Sequence, residues 1–360
     1  MMEETLERTG SVLGTVVAVQ ANFYRVRSID ESGEEVILLC TRRARLKKIG
    51  QKVMVGDRVI AVEVDFQEKR GAIASVLERK SELERPPIAN VDQILLVFSI
   101  AEPNLDPWQL SRFLVKAEST GLEIGLCLNK IDLVGEEIKA EWRDRLQQWG
   151  YNPIFTSVRE NRGLEALREA IGGKITVLAG ASGVGKSSTI ERSIPNLSLR
   201  TGLVSGKLQK GRHTTRHVEL FASPKGGFLA DTPGFDRPDL ICEPADLALY
   251  FPEARARLER GYCQFANCLH REEPNCAVRD DWERYEHYLC FLAEVIKKQE
   301  ILQQRADTES SLKLKIKNAG KEEYEPKLAV KKYRRPSRRG DKQILQDKLR
   351  AQNWQELEED

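Results

Sequence analysis

Phosphate chemistry is the first thing this 360-residue sequence is equipped for. Gly180, Ala181, Ser182, Gly183, Val184, Gly185, Lys186 and Ser187 fit the pattern G-x-x-x-x-G-K-[S/T]. In such a loop the glycines let backbone N–H groups wrap phosphates. Lysine reaches the β- and γ-phosphates, and the serine hydroxyl ligates Mg²⁺. An apolar run precedes the loop, and Ser188 opens a helix-forming stretch whose N-terminus favours anions. Further on, Asp231 and Gly234 close D-T-P-G after the apolar Phe228, Leu229 and Ala230. Alone that is an ordinary turn. Placed after a phosphate loop, the aspartate reads as a group near Mg²⁺ and the glycine N–H as a γ-phosphate sensor. Between them lie His213, Thr214, Thr215 and Arg216 in a glycine- and charge-rich loop. A threonine there can close over Mg²⁺ when triphosphate is bound, as in nucleotide switches. Thr215 is favoured because it directly precedes Arg216, with Thr214 the alternative.

A base reader stands upstream. Asn129, Lys130 and Asp132 form N-K-x-D at the end of an apolar run. A carboxylate at 132 can face the guanine N1–H and 2-amino donors, which adenine lacks. Asn129 would brace the loop, and Lys130 would pack its stem along the base plane. Thr156, Ser157 and Val158 end another short strand, where a backbone N–H can meet guanine O6. In an ordinary GTPase the phosphate loop precedes N-K-x-D; here it follows. Either one match is accidental or the domain is circularly permuted. The threonine pair and D-x-x-G follow in the same rotated order, which favours permutation. A parallel sheet tolerates it because chain termini lie close together at the surface.

The third group is metallic. Of seven cysteines, Cys263, Cys268 and Cys276 crowd around His270 with spacing C-x4-C-x-H-x5-C. Three thiolates and an imidazole suit a closed tetrahedral structural zinc. An iron–sulfur cluster or redox pair is the alternative use. An odd cysteine count in a chain of this size does not suggest a disulfide framework.

The elements that must position these groups are legible as patterns. Residues 11–85 hold about five short β-rich runs punctuated by Gly33, Gly50, Gly56 and Gly71, which fits a small barrel of OB-fold type. Arg42, Arg43, Arg45, Lys47 and Lys48 make a basic loop between two of the runs, either RNA-facing or simply solvated. Pro86 and Pro87 mark a linker. Residues 93–100 are continuously apolar, as expected of a strand buried on both faces. Strand and helix patterns then alternate to about residue 245, implying an α/β domain with a parallel sheet. Helical, cysteine-rich sequence follows. Residues 326–340 carry seven basic and no acidic residues, and read as a flexible arm for RNA phosphates or a solvated tail. The alternation over 311–317 could add a strand. Hydrophobic content of 41%, charged content of 31% and a net charge of +2 are ordinary for a globular protein. No apolar run is long enough for a membrane helix. The polar N-terminus lacks a secretory pattern, so a cytoplasmic protein is expected, or a stromal one if a transit peptide has been lost.

Taken together, the barrel-like start, N-K-I-D-L before G-A-S-G-V-G-K-S-S, G-R-H-T-T, D-T-P-G-F and the Cys/His spacing preceded by Phe251, Pro252 and Glu253 resemble the ribosome small-subunit-dependent GTPase A family (RsgA, YjeQ and YloQ type) over residues 10–300. The resemblance implies an N-terminal OB-fold barrel, a permuted Ras-like P-loop GTPase domain and a mainly helical zinc domain. The corresponding boundaries are 1–85, 86–245 and 246–310, with a charged, partly disordered extension over 311–360. It also implies a monomer that uses GTP with Mg²⁺ and acts in late maturation of the small ribosomal subunit. Such a factor binds the subunit and its rRNA with GTP and leaves on hydrolysis. Catalysis would fall to Lys186, Thr215 and His213. The family places a histidine before the threonine pair, and Phe235 stands where many GTPases carry a water-orienting glutamine. An RNA-binding scaffold without hydrolysis, or a P-loop kinase or ATPase with zinc, are the competing readings. Lys186, Ser187, Asp231 and Thr215 argue against the first and Asp132 against the second.

Overall fold

The computed structural model describes residues 11–84, 86–194, 218–231, 238–308, 312–317 and 321–326. Five strands come first: β1 (Val12–Gln20), β2 (Phe23–Ile29), β3 (Glu35–Arg42), β4 (Arg58–Asp65) and β5 (Arg70–Val76), with the short helix α1 (Ala44–Lys48) between β3 and β4. Their order β1-β2-β3-β5-β4 returns from β4 to β1, closing an OB-fold barrel. Alternation drives the closure. In β3, Val36, Leu38 and Cys40 point inward to meet Val16, Val26, Val59, Ala61 and Ile73, while Ile37, Leu39 and Thr41 face out. Strand β1 pairs on both sides through Gly14, which lies opposite Ser28 and Val59. A Cβ at Gly14 would come within 2.4 Å of Val26 Cγ1, so the barrel closes around a residue with no side chain. In the basic loop, Arg42 donates to the Gln51 carbonyl and Arg43 pairs with Glu63.

The segment marked as a linker by its prolines is a packed joint. Strands β6 (Glu82–Glu84) and β7 (Pro87–Ala89) form a ribbon whose Leu83 and Ile88 are buried with Val17, Val55 and Val177. The sequence reading weighed the two prolines and overlooked the apolar residues beside them.

Alternating strands and helices follow: β8 (Gln93–Ser99), α2 (Pro107–Glu118), β9 (Glu123–Asn129), α3 (Glu136–Gln148), β10 (Ile154–Phe155), α4 (Leu164–Ile171), β11 (Ile175–Ala179), α5 (Lys186–Ser193), β12 (Glu219–Ala222) and β13 (Phe228–Asp231). Their sheet runs β10-β9-β8-β11-β13-β12, parallel except for β12. Every residue of β8 is buried, as two-sided helix cover requires. The single pair Ala18–Glu219 joins β12 to β1, so barrel and α/β sheet form one eleven-stranded surface. Residues ending β9, β10, β11 and β13 lie along one edge, where open α/β sheets place their ligands.

Beyond the sheet come α6 (Pro252–Arg260) and α7 (Tyr285–Thr308), flanking the cysteine-rich loop. This region is fastened to α2 and α3 by a buried ionic and aromatic joint. Arg284 has no exposed surface. Its guanidinium donates from Nε to Glu253 Oε1 at 2.7 Å, and its carbon lies 4.8 Å from the Trp149 ring and 4.9 Å from the Phe251 ring. Arg112 grips Glu294 with two bonds of 2.6 and 2.7 Å, and Trp149 Nε1 donates to Glu283. Tertiary contacts divide the chain into units of residues 1–295 and 296–360. The second contains the end of α7 and an antiparallel hairpin of β14 (Leu312–Lys317) and β15 (Lys321–Pro326). The alternation over 311–317 had marked the first of these strands. The charge-dense K-E-E-Y-E-P concealed the second, and the paired strands at 312–317 and 321–326 give the extension more structure than its composition suggests. Residues 327–340 of the basic arm lie outside the described residues. Among the described residues no helix is long and apolar enough to cross a membrane.

Removing one side of the buried pair strands a charge. We expect Glu253→Ala to cost about 3–5 kcal/mol, read as a lower urea midpoint; a change below about 1 kcal/mol would mean that the ion pair does not hold this joint.

Candidate functional site

The phosphate loop leaves the end of β11 in conformations that only glycine accepts. Gly180 has φ +142°, and a Cβ there would sit 2.0 Å from the Val97 carbonyl oxygen on β8. Gly185, at φ +102°, heads α5, and a Cβ there would meet the Asn129 side-chain nitrogen at 2.4 Å. Lys186 folds back over the loop, its Nζ donating to the carbonyls of Gly180 and Ala181, both at 2.8 Å. Ser187 and Ser188 occupy the first turn of α5, the end of a helix whose backbone N–H groups favour anions. Ser182 and Gly183 face solvent.

The base motif is built into this loop. Asn129, 2% exposed at the end of β9, donates from Nδ2 to the Val184 carbonyl at 3.0 Å. Its Oδ1 accepts from the Thr156 hydroxyl and the Val158 N–H, each at 3.3 Å. One buried amide thus ties three sequence-distant segments together. Lys130, in a left-handed conformation, donates to the Gly183 carbonyl at 3.0 Å and to the Glu102 carbonyl. The Ser157 hydroxyl donates to Asp132 Oδ1 at 2.6 Å. That bond holds the Asp132 carboxyl below its ordinary range against the opposing desolvation, helped by a bond from its own backbone and by the fields of Arg159 and Arg162. An ionised Asp132 only accepts, which is what two guanine donors require.

Asn129, Lys130, Asp132, Thr156, Ser157, Val158 and the loop from Gly180 to Ser188 are therefore brought to one edge of the sheet. Asp231 ends β13 with its backbone paired opposite Leu178, two residues before Gly180. His213, Thr214, Thr215 and Gly234 lie outside the described residues. Sequence reasoning missed the wall formed by Ser99, Glu102 and Pro103. Ser99 Oγ donates to the Pro103 carbonyl at 2.8 Å, and Pro103 approaches Gly183. Backbone carbonyls carry no residue-type signal, so nothing in the sequence could have found them. Cys127 was missed as well. Its buried sulfur lies 3.2 Å from Thr156 Oγ1, and burial pushes its thiol up to about 11.

The Cys/His cluster is a second, separate constellation. The ligand atoms of Cys263, Cys268, His270 and Cys276 all lie within 4.8 Å of one another. A tetrahedral zinc would set sulfur–sulfur spacings of about 3.8 Å and sulfur–nitrogen spacings of about 3.6 Å. The cluster has 3.9 Å for Cys263–Cys276, and 3.5 and 3.3 Å from His270 Nδ1 to Cys263 and Cys276. The residues present therefore fit one such ion. Burial depresses the His270 imidazole, keeping the neutral form that ligates, and raises the Cys268 thiol to about 12, so that a cation is needed to hold thiolates there. The loop is braced from outside. The Glu273 carboxylate accepts from the N–H groups of Leu269 and Arg271, and Tyr285 and Tyr288 donate to the carbonyls of His270 and Leu269.

This geometry recurs in known proteins. The family model described as RsgA GTPase matches residues 76–241. The small ribosomal subunit biogenesis GTPase RsgA of Microcystis aeruginosa is 64% identical over 330 residues, covering 92% of each chain. The chain belongs to the RsgA GTPase family. Its fold agrees with solved RsgA-type structures. YjeQ from Thermotoga maritima superposes with a TM-score of 0.67 at 33% identity, covering 79% of this chain and 99% of that one. YloQ, described as a circularly permuted GTPase, gives 0.67 at 31%, covering 80% and 96%. For this RsgA-family member the rotated motif order is therefore a permutation, and the coincidental-match reading of N-K-x-D falls away.

Two measurements probe the site. Ser157→Ala removes the hydroxyl that sets Asp132, and should weaken GTP binding roughly ten- to hundredfold, the value of one hydrogen bond to a charged group; unchanged affinity would show that Asp132 needs no such support. Elemental analysis of the purified chain should give one zinc, and Cys276→Ser should lower both zinc content and the thermal midpoint; retention of a full zinc equivalent would dismiss the cluster as its site.

Proposed function

We propose that this chain hydrolyses GTP, with Mg²⁺, in late maturation of the small ribosomal subunit. It binds the subunit and its rRNA in the GTP state and is released on hydrolysis. The relatives named above support the biological setting. The observation that carries the chemistry is the Asn129 amide, which fastens the base reader to the phosphate loop through Val184. That linkage lets a guanine held by Asp132 and a triphosphate held by the loop belong to one ligand.

The roles follow from position. Asp132 accepts from guanine N1–H and the 2-amino group, and a backbone N–H of the Thr156–Val158 turn meets guanine O6. N–H groups of 180–188 wrap the phosphates, and the Lys186 ammonium moves from the Gly180 and Ala181 carbonyls to β- and γ-phosphate oxygens. Ser187, Asp231 and Thr215, with Thr214 the alternative, would hold Mg²⁺, which supplies charge compensation on those oxygens. The Gly234 N–H senses the γ-phosphate. Water attacks the γ-phosphorus, the bond to the bridging oxygen breaks with its electron pair leaving on GDP, and the water proton ends on inorganic phosphate. Phe235 has no polar atom with which to orient that water. A neutral His213 imidazole does it instead. Cys263, Cys268, His270 and Cys276 hold a structural zinc with no ligand position open for catalysis. The protein works as a monomer in the cytoplasm, where ribosomes are assembled.

The decisive experiment is GTP turnover with and without purified ribosomal subunits. Small subunits should raise turnover severalfold and large subunits should not. His213→Ala should keep GTP affinity and lose the stimulated turnover by about 10²-fold. Equal rates with and without small subunits would sink the functional reading, and unchanged turnover in His213→Ala would remove that residue from the mechanism.

A further inference from the structure

The seam between barrel and α/β sheet holds a groove that the nucleotide site does not use. Strands β1 and β12 meet at the single pair Ala18–Glu219, and beside it the outer face of β2–β3 and the β12–β13 hairpin enclose about 400 Å³. That lies within the range of small-ligand clefts. Arg25 and Arg27, two apart on β2, project from the barrel wall. Phe221 and Phe228 line the opposite wall. Arg25 reaches across to Glu219 at 2.6 Å. Arg27 pairs with Glu35, and its guanidinium carbon lies 5.3 Å from the centre of the Phe228 ring. The barrel wall continues onto an exposed face carrying Phe23, Ile37 and Leu39, at 47%, 43% and 42% exposure. The outside of a small barrel is ordinarily polar, so guanidinium and apolar groups alternating there need a partner.

We infer that this groove takes an unpaired nucleotide of single-stranded RNA, an assignment that rests on the proposed rRNA partner and deepens it. Guanidinium planes and phenyl rings are the two surfaces on which unstacked bases lie, and the groove offers both within one cleft. Each arginine is a planar fork matched to phosphate oxygens. The carboxylates of Glu35 and Glu219 are the acceptors that a phosphate would replace. Strands 2 and 3 are also the face on which OB-folds carry oligonucleotides. The groove has a second consequence. Its far wall is β12–β13, which ends at Asp231, so RNA in the seam lies against the strand that leads into D-T-P-G.

The test is fluorescence anisotropy of a short, labelled, unstructured oligoadenylate with the full-length protein, alongside GTP binding and thermal melts. Arg27→Ala, and Phe221→Leu, which removes the ring but keeps its apolar bulk, should each weaken RNA binding about fivefold or more, with GTP affinity unchanged. Arg45→Ala on α1 should weaken it by less than twofold. Wild-type RNA affinity in both groove variants, with loss in Arg45→Ala, would overturn the groove and leave the functional reading intact. So would Leu39→Ser losing small-subunit binding while RNA affinity holds, which would mark the face as a protein contact. Absence of RNA binding by the wild-type chain also overturns the groove, whereas the functional reading stands or falls on subunit-stimulated turnover.

Discussion

The buried amide of Asn129 is the constraint around which the nucleotide site is assembled. It has an amide nitrogen and a carbonyl oxygen to place, and it places them on two different segments: Val184 of the phosphate loop, and the Thr156–Val158 turn. An unsatisfied amide at 2% exposure would cost about 1–3 kcal/mol, which opposes separating the three segments. The same contact demands glycine at 185, because any side chain there would collide with Asn129. Lys130 repeats the arrangement one residue on by reaching the Gly183 and Glu102 carbonyls. The permutation is invisible at this level. Strands β9 and β11 flank β8 whatever the order in which the chain visits them, and the amide bridges them across the strand ends.

The two joints around the α/β sheet are built differently. On the β12 side the barrel is attached by one backbone pair, by Arg25 with Glu219 and by the apolar packing of Val17 and Val55 against Leu83, Ile88 and Val177, and beside these contacts the surfaces part into a groove. On the opposite side the cysteine-rich region is sealed by Arg284, Glu253, Trp149 and Phe251, and by Arg112 with Glu294. The nucleotide domain therefore meets the zinc-fitting region through the helices α2 and α3, and Arg112 of α2 also donates to the Pro238 carbonyl in the segment that follows Asp231. A dense, dry joint transmits displacement, because close-packed interiors deform little.

The chemistry was legible early because it is carried by residue types at short spacing. G-x-x-x-x-G-K-S, N-K-x-D and C-x4-C-x-H-x5-C each need few residues and strict intervals, and the barrel strands declared themselves as short β-rich runs between glycines. Less visible were the supports. The Glu102 and Pro103 carbonyls, the Cys127 sulfur behind Thr156 and the Arg284 cage join residues whose separation in sequence carries no pattern. The ribbon at 82–89 was obscured by two prolines, and the β15 strand by its run of charge, since local propensity was read there without the neighbour that pairs with it.

By itself the sequence determined which groups exist to hold phosphate, guanine and metal. It also determined that the chain alternates strand and helix after a small barrel, and that its motif order is rotated. Only the tertiary structure decided that the rotated motifs share one edge of one sheet, that Asp132 is set by Ser157, and that four ligand atoms converge at zinc spacing. It alone opened a groove of arginine and phenylalanine at the seam. The reason is physical: residue identity and periodicity are local properties of a chain, whereas hydrogen-bond satisfaction, burial and the meeting of surfaces depend on which distant segments exclude water together.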